Sequence, residues 1–458
     1  MSTRWIDKRC RIANLITGET QTTIEMLNTS PSNSLSSAHP APRRSRVLVR
    51  ACVAVLVFCV LSSGVYFASK SGSNAEVYSN DFNVYYHAAN EIRAGRDPYQ
   101  NSLGKWTPYL YPPLLAEIII PLTMLSVPVA AYLWFLISAG SMIGAALMSG
   151  RMSALLASES QSAAADAEGL FSLRGAVAAA AVIGVLRFTL DTFNLGQVNT
   201  IVAALTIAHV YLYARDKKAL SAMALVLAIS FKLTPALLIV YHIARLRLKF
   251  AVVCAALVVG VTALSFLPFE ARGLDAFRIF ANRTLKNEQG YNLADPGNQS
   301  LRGAIARLTA RDEGGGGDET RRPVETATLA VAIVLLAAAV FAARRARSEL
   351  AGVAPFFCCM ALLSPLSWKA HFVILVLPIA YLLALVFHSD TPAVARRVLL
   401  SAIGVSFALF NLTSPRIIGL AAAEWADAHS LITLGAVLIL FVALYANRRK
   451  FGKPHRVC

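Results

Sequence analysis

Ser79-Asn-Asp-Phe-Asn-Val-Tyr-Tyr-His-Ala-Ala-Asn-Glu-Ile-Arg-Ala-Gly-Arg-Asp-Pro-Tyr99, closed by Tyr109-Leu-Tyr-Pro-Pro113, is a polar, aromatic stretch set between long apolar runs. Upstream lies Val47–Phe67, an apolar run preceded by Arg43-Arg-Ser-Arg46. Downstream, most of the chain is apolar. A polar loop between segments of that kind sits at a membrane surface, and the fold it implies is polytopic and all-α.

The composition agrees. Hydrophobic residues make up 56% and charged residues 15% of the 458, with a mean hydropathy of +0.55. A soluble domain carries roughly 25% charged residues. The net charge of +17 does not point to nucleic acid, because the basic residues cluster at the ends of apolar runs. Arg215-Asp-Lys-Lys218, Arg245 to Lys249, Arg344-Arg-Ala-Arg347, Arg396-Arg397 and Asn447-Arg-Arg-Lys450 are such clusters, the pattern of the positive-inside rule. The seven cysteines form no disulfide or zinc framework.

A span takes about 20 apolar residues, and the runs give about 12 spans, with both termini cytoplasmic and external juxtamembrane helices. The expected organisation is a disordered cytoplasmic tail over 1–45 and a transmembrane module over 46–268 that includes an external loop, 69–127. An external loop at 269–325, a C-terminal transmembrane module at 326–447 and a basic cytoplasmic tail at 448–458 follow. Segment 110–126 is apolar enough to enter the membrane, but counting it as a span would put Arg215–Lys218 outside; it reads as re-entrant or surface-lying. Gly314–Gly317 reads as part of a flexible linker. The polar segments between spans gather on one face, the external one.

Several residues on that face bear chemistry. Asp81 precedes Phe82, Tyr85 and Tyr86, and helical spacing puts both tyrosines near its face. A carboxylate ringed by aromatics suits a sugar, the rings stacking on it and the acid accepting a hydroxyl proton. The plainer reading makes Asp81 the N-cap of a helix over 82–93. Lys232 and Pro235 break an apolar run; the lysine either snorkels to the interface or contacts a phosphate. Gly196-Gln-Val-Asn199 opens a helix towards the same face, or is an ordinary polar cap. Trp368 and His371 follow Pro365, where an interfacial aromatic anchor is also expected. Arg187 and Asp191, at i and i+4, can pair with each other. No phosphate loop, nucleophile elbow, zinc-protease or dinucleotide motif occurs. The scattered external acids require neither metal nor cofactor.

Asp81-Phe-x-Val-Tyr-Tyr, Gly95-x-Asp-Pro-Tyr99 and Tyr111-Pro-Pro113 together resemble the N-terminal signature of glycosyltransferase family 87. Leu195-Gly-Gln-Val-Asn199, Lys232-Leu-Thr-Pro235, Asn298-Gln-Ser-Leu301 with Arg307, and Ser364-Pro-Leu-Ser-Trp368 with His371 continue it in order. The resemblance implies a GT-C fold in the plasma membrane and catalysis on its external face. It also implies a polyprenyl-phosphate-linked sugar as donor, mannose foremost, and a lipid or glycan acceptor. Asp81 is then the general base, with inversion, and Lys232 and His371 hold the donor phosphate. Tyr85, Tyr86, Gln197, Asn199, Gln299 and Trp368 are the substrate-binding candidates. The sequence departs from many relatives at Lys369-Ala370, which leaves His371 without a second histidine. Membrane lipids are the other partners expected, and nucleic acid is not one. The competing class is a transporter or flippase of lipid-linked sugars, which needs polar groups reachable from both faces.

Overall fold

The computed structural model describes residues 43–73, 80–100, 108–158, 173–267, 273–286, 292–309 and 318–449. The two expected tails fall almost wholly outside these residues, and the Gly314–Gly317 linker lies outside them. The described residues divide at Leu56 into two units, Arg43–Leu56 and the residues from Val57 onward.

Among the described residues every regular element is a helix. In order the helices are α1 (Arg43–Ser73), α2 (Asp81–Arg93), α3 (Pro113–Ile119), α4 (Val127–Ser158), α5 (Leu173–Gly184), α6 (Leu186–Leu195), α7 (Asn199–Ala214), α8 (Lys218–Phe231) and α9 (Leu237–Ala244). They continue as α10 (Leu248–Ser265), α11 (Gly273–Lys286), α12 (Leu301–Thr309), α13 (Asp318–Arg345), α14 (Glu349–Leu362), α15 (Val376–Phe387), α16 (Ala393–Phe407), α17 (Pro415–Ile418), α18 (Leu420–Ala428) and α19 (Leu431–Arg449). Large apolar side chains stand exposed along them, among them Phe58, Ile143, Val252, Val259, Ile333 and Val334. Such a surface suits hydrocarbon, where only closed backbone hydrogen bonding of this kind is tolerated.

Among the described residues, six segments are long and apolar enough to cross a bilayer, or seven if the bent pair α5–α6 counts as one. The expectation of about 12 spans is not matched by that count. The expected spans at 195–213, 219–231, 234–244 and 350–367 are α7, α8, α9 and α14, of 16, 14, 8 and 14 residues. At 1.5 Å per residue these rise about 12–24 Å, short of the ~30 Å hydrocarbon core. Polar breaks divide the apolar runs into half-length helices. α5 and α6, bent by 65°, illustrate how a break is satisfied. The bend frees the Gly184 carbonyl and the Arg187 amide, and the Asn411 side chain takes both, at 3.0 and 3.1 Å. Segment 110–126 holds α3, seven residues long, and a five-residue 3₁₀ turn, Ile120–Met124. That is too short to span.

Two apolar clusters fill the larger unit. One is aromatic and N-terminal, built on Phe82, Tyr85, Tyr99, Tyr109, Trp134 and Phe266. The other is aliphatic and mostly C-terminal, around Phe356, Phe357, Leu375 and Leu440. Phe193 and Leu233 pack against both. Phe193 precedes the Gly196–Asn199 break and Leu233 lies within the Lys232–Pro235 break, so these polar segments lie on the seam between the clusters.

Candidate functional site

α2 begins with Asn80 as its N-cap: the Asn80 side chain accepts from the Asn83 amide at 3.1 Å. The expectation that Asp81 performs this capping is corrected. Asp81 is the first helical residue, half-buried, where a carboxylate also gains from the helix dipole. Phe82 and Tyr85 turn inward onto Trp134, with ring centroids 6.0 and 5.8 Å away. The Trp134 indole donates to the Gly196 carbonyl at 2.8 Å.

Gly196 is the hinge of this arrangement. Its φ of +64° is in the left-handed region, and a Cβ there would lie 2.6 Å from Phe67 Cζ and 2.9 Å from Phe82 Cβ. Glycine is thus required both by the backbone and by the approach of α2. The turn ends α6 and starts α7, delivering Gln197 and Asn199 to the seam. Both are buried, and the Asn199 amide donates to Gln197 Oε1 at 2.5 Å.

Lys232 reaches the same point from the end of α8. Its ammonium donates to Asn199 Oδ1 at 2.7 Å and lies 2.6 Å from His371 Nε2. His371 comes from the 3₁₀ turn Lys369–Leu375, anchored by its amide on the Trp368 carbonyl at 2.8 Å. A pocket opens here, lined by Asn199, Lys232, Thr234 and His371 on its polar side and by Val202, Met360 and Ile374 on its apolar side. Asp81 is close enough for its charge to act on both Lys232 and Tyr85.

Tyr85 is wholly buried. Burial, followed by the neighbouring Tyr111 and Asp81, holds its phenol well above the usual tyrosine range, so it stays protonated. It donates to the Tyr111 hydroxyl at 3.0 Å, and the Val198 backbone hydrogen-bonds the same oxygen. Tyr86 points elsewhere, donating to the Leu125 carbonyl at 2.9 Å.

Four of the sequence candidates, Gln197, Asn199, Lys232 and His371, are therefore one connected chain, with Asp81 nearby and Tyr85 beneath. Trp368 meets this chain through its backbone carbonyl, which accepts from the His371 amide at 2.8 Å, and Gln299 bonds to neighbouring loops instead. The Gln299 amide donates to the carbonyls of Pro296 and Asp427, at 2.6 and 2.8 Å, and Trp368 covers Gly297. Arg307 grips the carbonyls of Asp295 and Asn298 at 2.8 and 2.9 Å. This loop is a brace for the turn that carries His371. Lys369 ion-pairs with Asp427, and Arg187 bonds Thr413 Oγ1 at 2.8 Å with Asp427 4.0 Å away. The Arg187 side chain thus has Thr413 and Asp427 as its close partners. Trp134 and Asp427 were missed in the sequence: an apolar-run tryptophan and an acid 58 positions from its lysine carry no local signal. Among the described residues, no three His, Cys, Asp or Glu side chains group as a metal site.

A family model described as glycosyltransferase family 87 matches residues 109–367. That range holds Asn199 and Lys232, while Asp81 and His371 fall outside it. Two curated relatives carry the name polyprenol-phosphate-mannose-dependent alpha-(1-2)-phosphatidylinositol pentamannoside mannosyltransferase. The Mycobacterium tuberculosis protein is 31% identical over 276 residues, 59% of this chain and 57% of its own. The Mycolicibacterium smegmatis protein is 28% identical over 271 residues, 59% of each. The chain thus spans somewhat less than three-fifths of the curated relatives it matches.

Proposed function

The chain belongs to glycosyltransferase family 87, and on that premise we propose that it moves a hexose, mannose foremost, from a polyprenyl-phosphate donor to a hydroxyl of a lipid or glycan acceptor. The observation that carries this reading is the Asn199–Lys232–His371 cluster in its pocket, with Asp81 in electrostatic reach. A phosphate-linked donor needs preorganised charge where the leaving group gains it, which Lys232 and His371 supply. The acceptor needs one base, which is Asp81. With one carboxylate and a direct displacement, the anomeric centre inverts. Gln197 and Asn199 orient Lys232, Tyr85 supports the Asn199 turn from below, and Trp368 and Gln299 complete the donor side.

The external face is favoured by helix direction. α7 runs from Asn199 to Ala214, just before Arg215, and α8 from Lys218 to Phe231, just before Lys232. The candidate site and the basic clusters therefore sit at opposite helix ends, and positive-inside orientation directs the site outwards. The protein is then a multi-pass plasma-membrane enzyme with cytoplasmic termini, divided as the loops at 69–127 and 269–325 suggest.

Purified protein, labelled polyprenyl-phosphate mannose and a panel of lipid acceptors test the reading. Asp81→Asn is expected to lower turnover by about 10²–10⁴-fold, the usual worth of a general base, with donor binding retained. Wild-type turnover in that variant would remove Asp81 from the base role.

A further inference from the structure

We propose that Lys232 and His371 act as one proton-storing pair: it faces the donor with a single positive charge and takes up the acceptor's proton as the phosphate leaves. This rests on the polyprenyl-phosphate reading above and specifies how its site handles charge.

The geometry sets the charge of the resting pair. A separation of 2.6 Å between Lys232 Nζ and His371 Nε2 admits one hydrogen between two nitrogens. One of them donates and the other accepts through its lone pair. Asn199 Oδ1 accepts a second Nζ hydrogen at 2.7 Å, which favours an ammonium donating to a neutral imidazole. Two cations cannot share that contact. Around the pair, the charged group acting on Lys232 is Asp81, and the one acting on His371 is Lys232; Asn199, Thr234 and Met360 are neutral. The pair therefore carries one positive charge, which matches the single negative charge of a phosphodiester donor.

The reaction changes that charge. The acceptor oxygen gives an electron pair to the anomeric carbon, and its O–H bond breaks with the proton going to Asp81. The anomeric C–O bond to phosphate breaks and its electrons stay on the phosphate oxygen. A diester of charge −1 becomes a monoester of charge −2. Transfer of the proton from Asp81 to His371 restores the carboxylate and makes the pair +2. A phosphate oxygen entering between the nitrogens replaces their mutual contact with two charge-assisted N–H···O bonds, so both cations are then tolerated. The pair and the phosphate balance to zero before and after transfer, with Asp81 a carboxylate at both ends, and no proton need leave while the donor is bound.

Calorimetric titration of the full chain with a short-chain polyprenyl phosphate, and separately with the matching polyprenyl-phosphate mannose, tests this. The titrations are run in two buffers of different ionisation heat at about pH 8, above the monoester's second pKa of about 6. The expected result is uptake of about one proton per leaving-group lipid bound and none per donor. His371→Gln, which keeps a polar side chain there, is expected to abolish the uptake and weaken leaving-group binding by about tenfold or more, the worth of a charged hydrogen bond. Absence of uptake with the wild type overturns the proposal, and so does uptake undiminished in His371→Gln, which would put the proton on the phosphate. If neither lipid binds the wild-type protein, the polyprenyl-phosphate reading itself falls.

Discussion

α7 and α8 have a histidine contact near each of their ends, and the two are built differently. At the Asn199 end, His371 meets Lys232 beside an open pocket. At the other, His209 Nε2 lies 3.0 Å from His242 Nε2, and His209 Nδ1 lies 2.8 Å from Ser221 Oγ. Tyr213 and Phe250 close over the second pair, with centroids 4.8 and 4.6 Å from the His242 ring. Beside it, Glu349 accepts from Tyr241 at 2.7 Å and from Arg247 at 2.8 Å, and Arg247 stacks on Tyr213, 4.4 Å from its centroid. One end gathers neutral rings and a paired acid under an aromatic cover. The other leaves a cation and an imidazole facing a cavity. Buried histidine alone does not mark chemistry here; what distinguishes the site is charge left facing an opening.

If that contrast is right, substitutions should separate function from stability. The largest expected effect is at Lys232. Lys232→Met is expected to lower transfer by about 10²–10³-fold, as loss of a preorganised charge donor does, with thermal stability little changed; near-normal transfer would dissolve the distinction. Glu349→Gln should do the reverse. It leaves Arg247 without its carboxylate, and because these side chains are 19% exposed the cost is discounted from that of a fully buried pair to about 2 kcal/mol. Detergent melting reads this, and the surviving protein should keep its kinetic constants. The smallest effect is at Tyr86, whose hydroxyl bonds Leu125 rather than the pocket. Tyr86→Phe is expected to cost about 1 kcal/mol of stability and leave transfer unaffected; a clear fall in transfer would move the site boundary to that face of α2.

The convergence of Asn199, Lys232 and His371 was legible in the sequence because each is a polar interruption of an apolar run, and such interruptions are costly unless they meet. The number of spans was not legible. Hydropathy registers the break at Lys232–Pro235 but not whether it ends one crossing or divides a short helix from the next. The capping residue was displaced by one, since Asn80 and Asp81 are both good caps and only the turn onto Asn83 selects between them. Tyr85 and Tyr86 were read together, yet successive helical residues are about 100° apart, so one enters the core when the other leaves it. The Lys369–Asp427 pair joins segments that nothing local connects.

The break at Lys232 also bears on how the chain enters a membrane. α8 offers 14 residues and α9 only 8, with a lysine between them whose insertion at mid-helix costs about 3 kcal/mol. Neither helix has the length to hold itself in a bilayer. Each therefore depends during synthesis on α7 and on later helices for its place, and a nascent chain ending just beyond Phe231 should slip from the membrane at that helix. The interruption that presents an ammonium to the pocket thereby makes the insertion of this part of the protein a collective event.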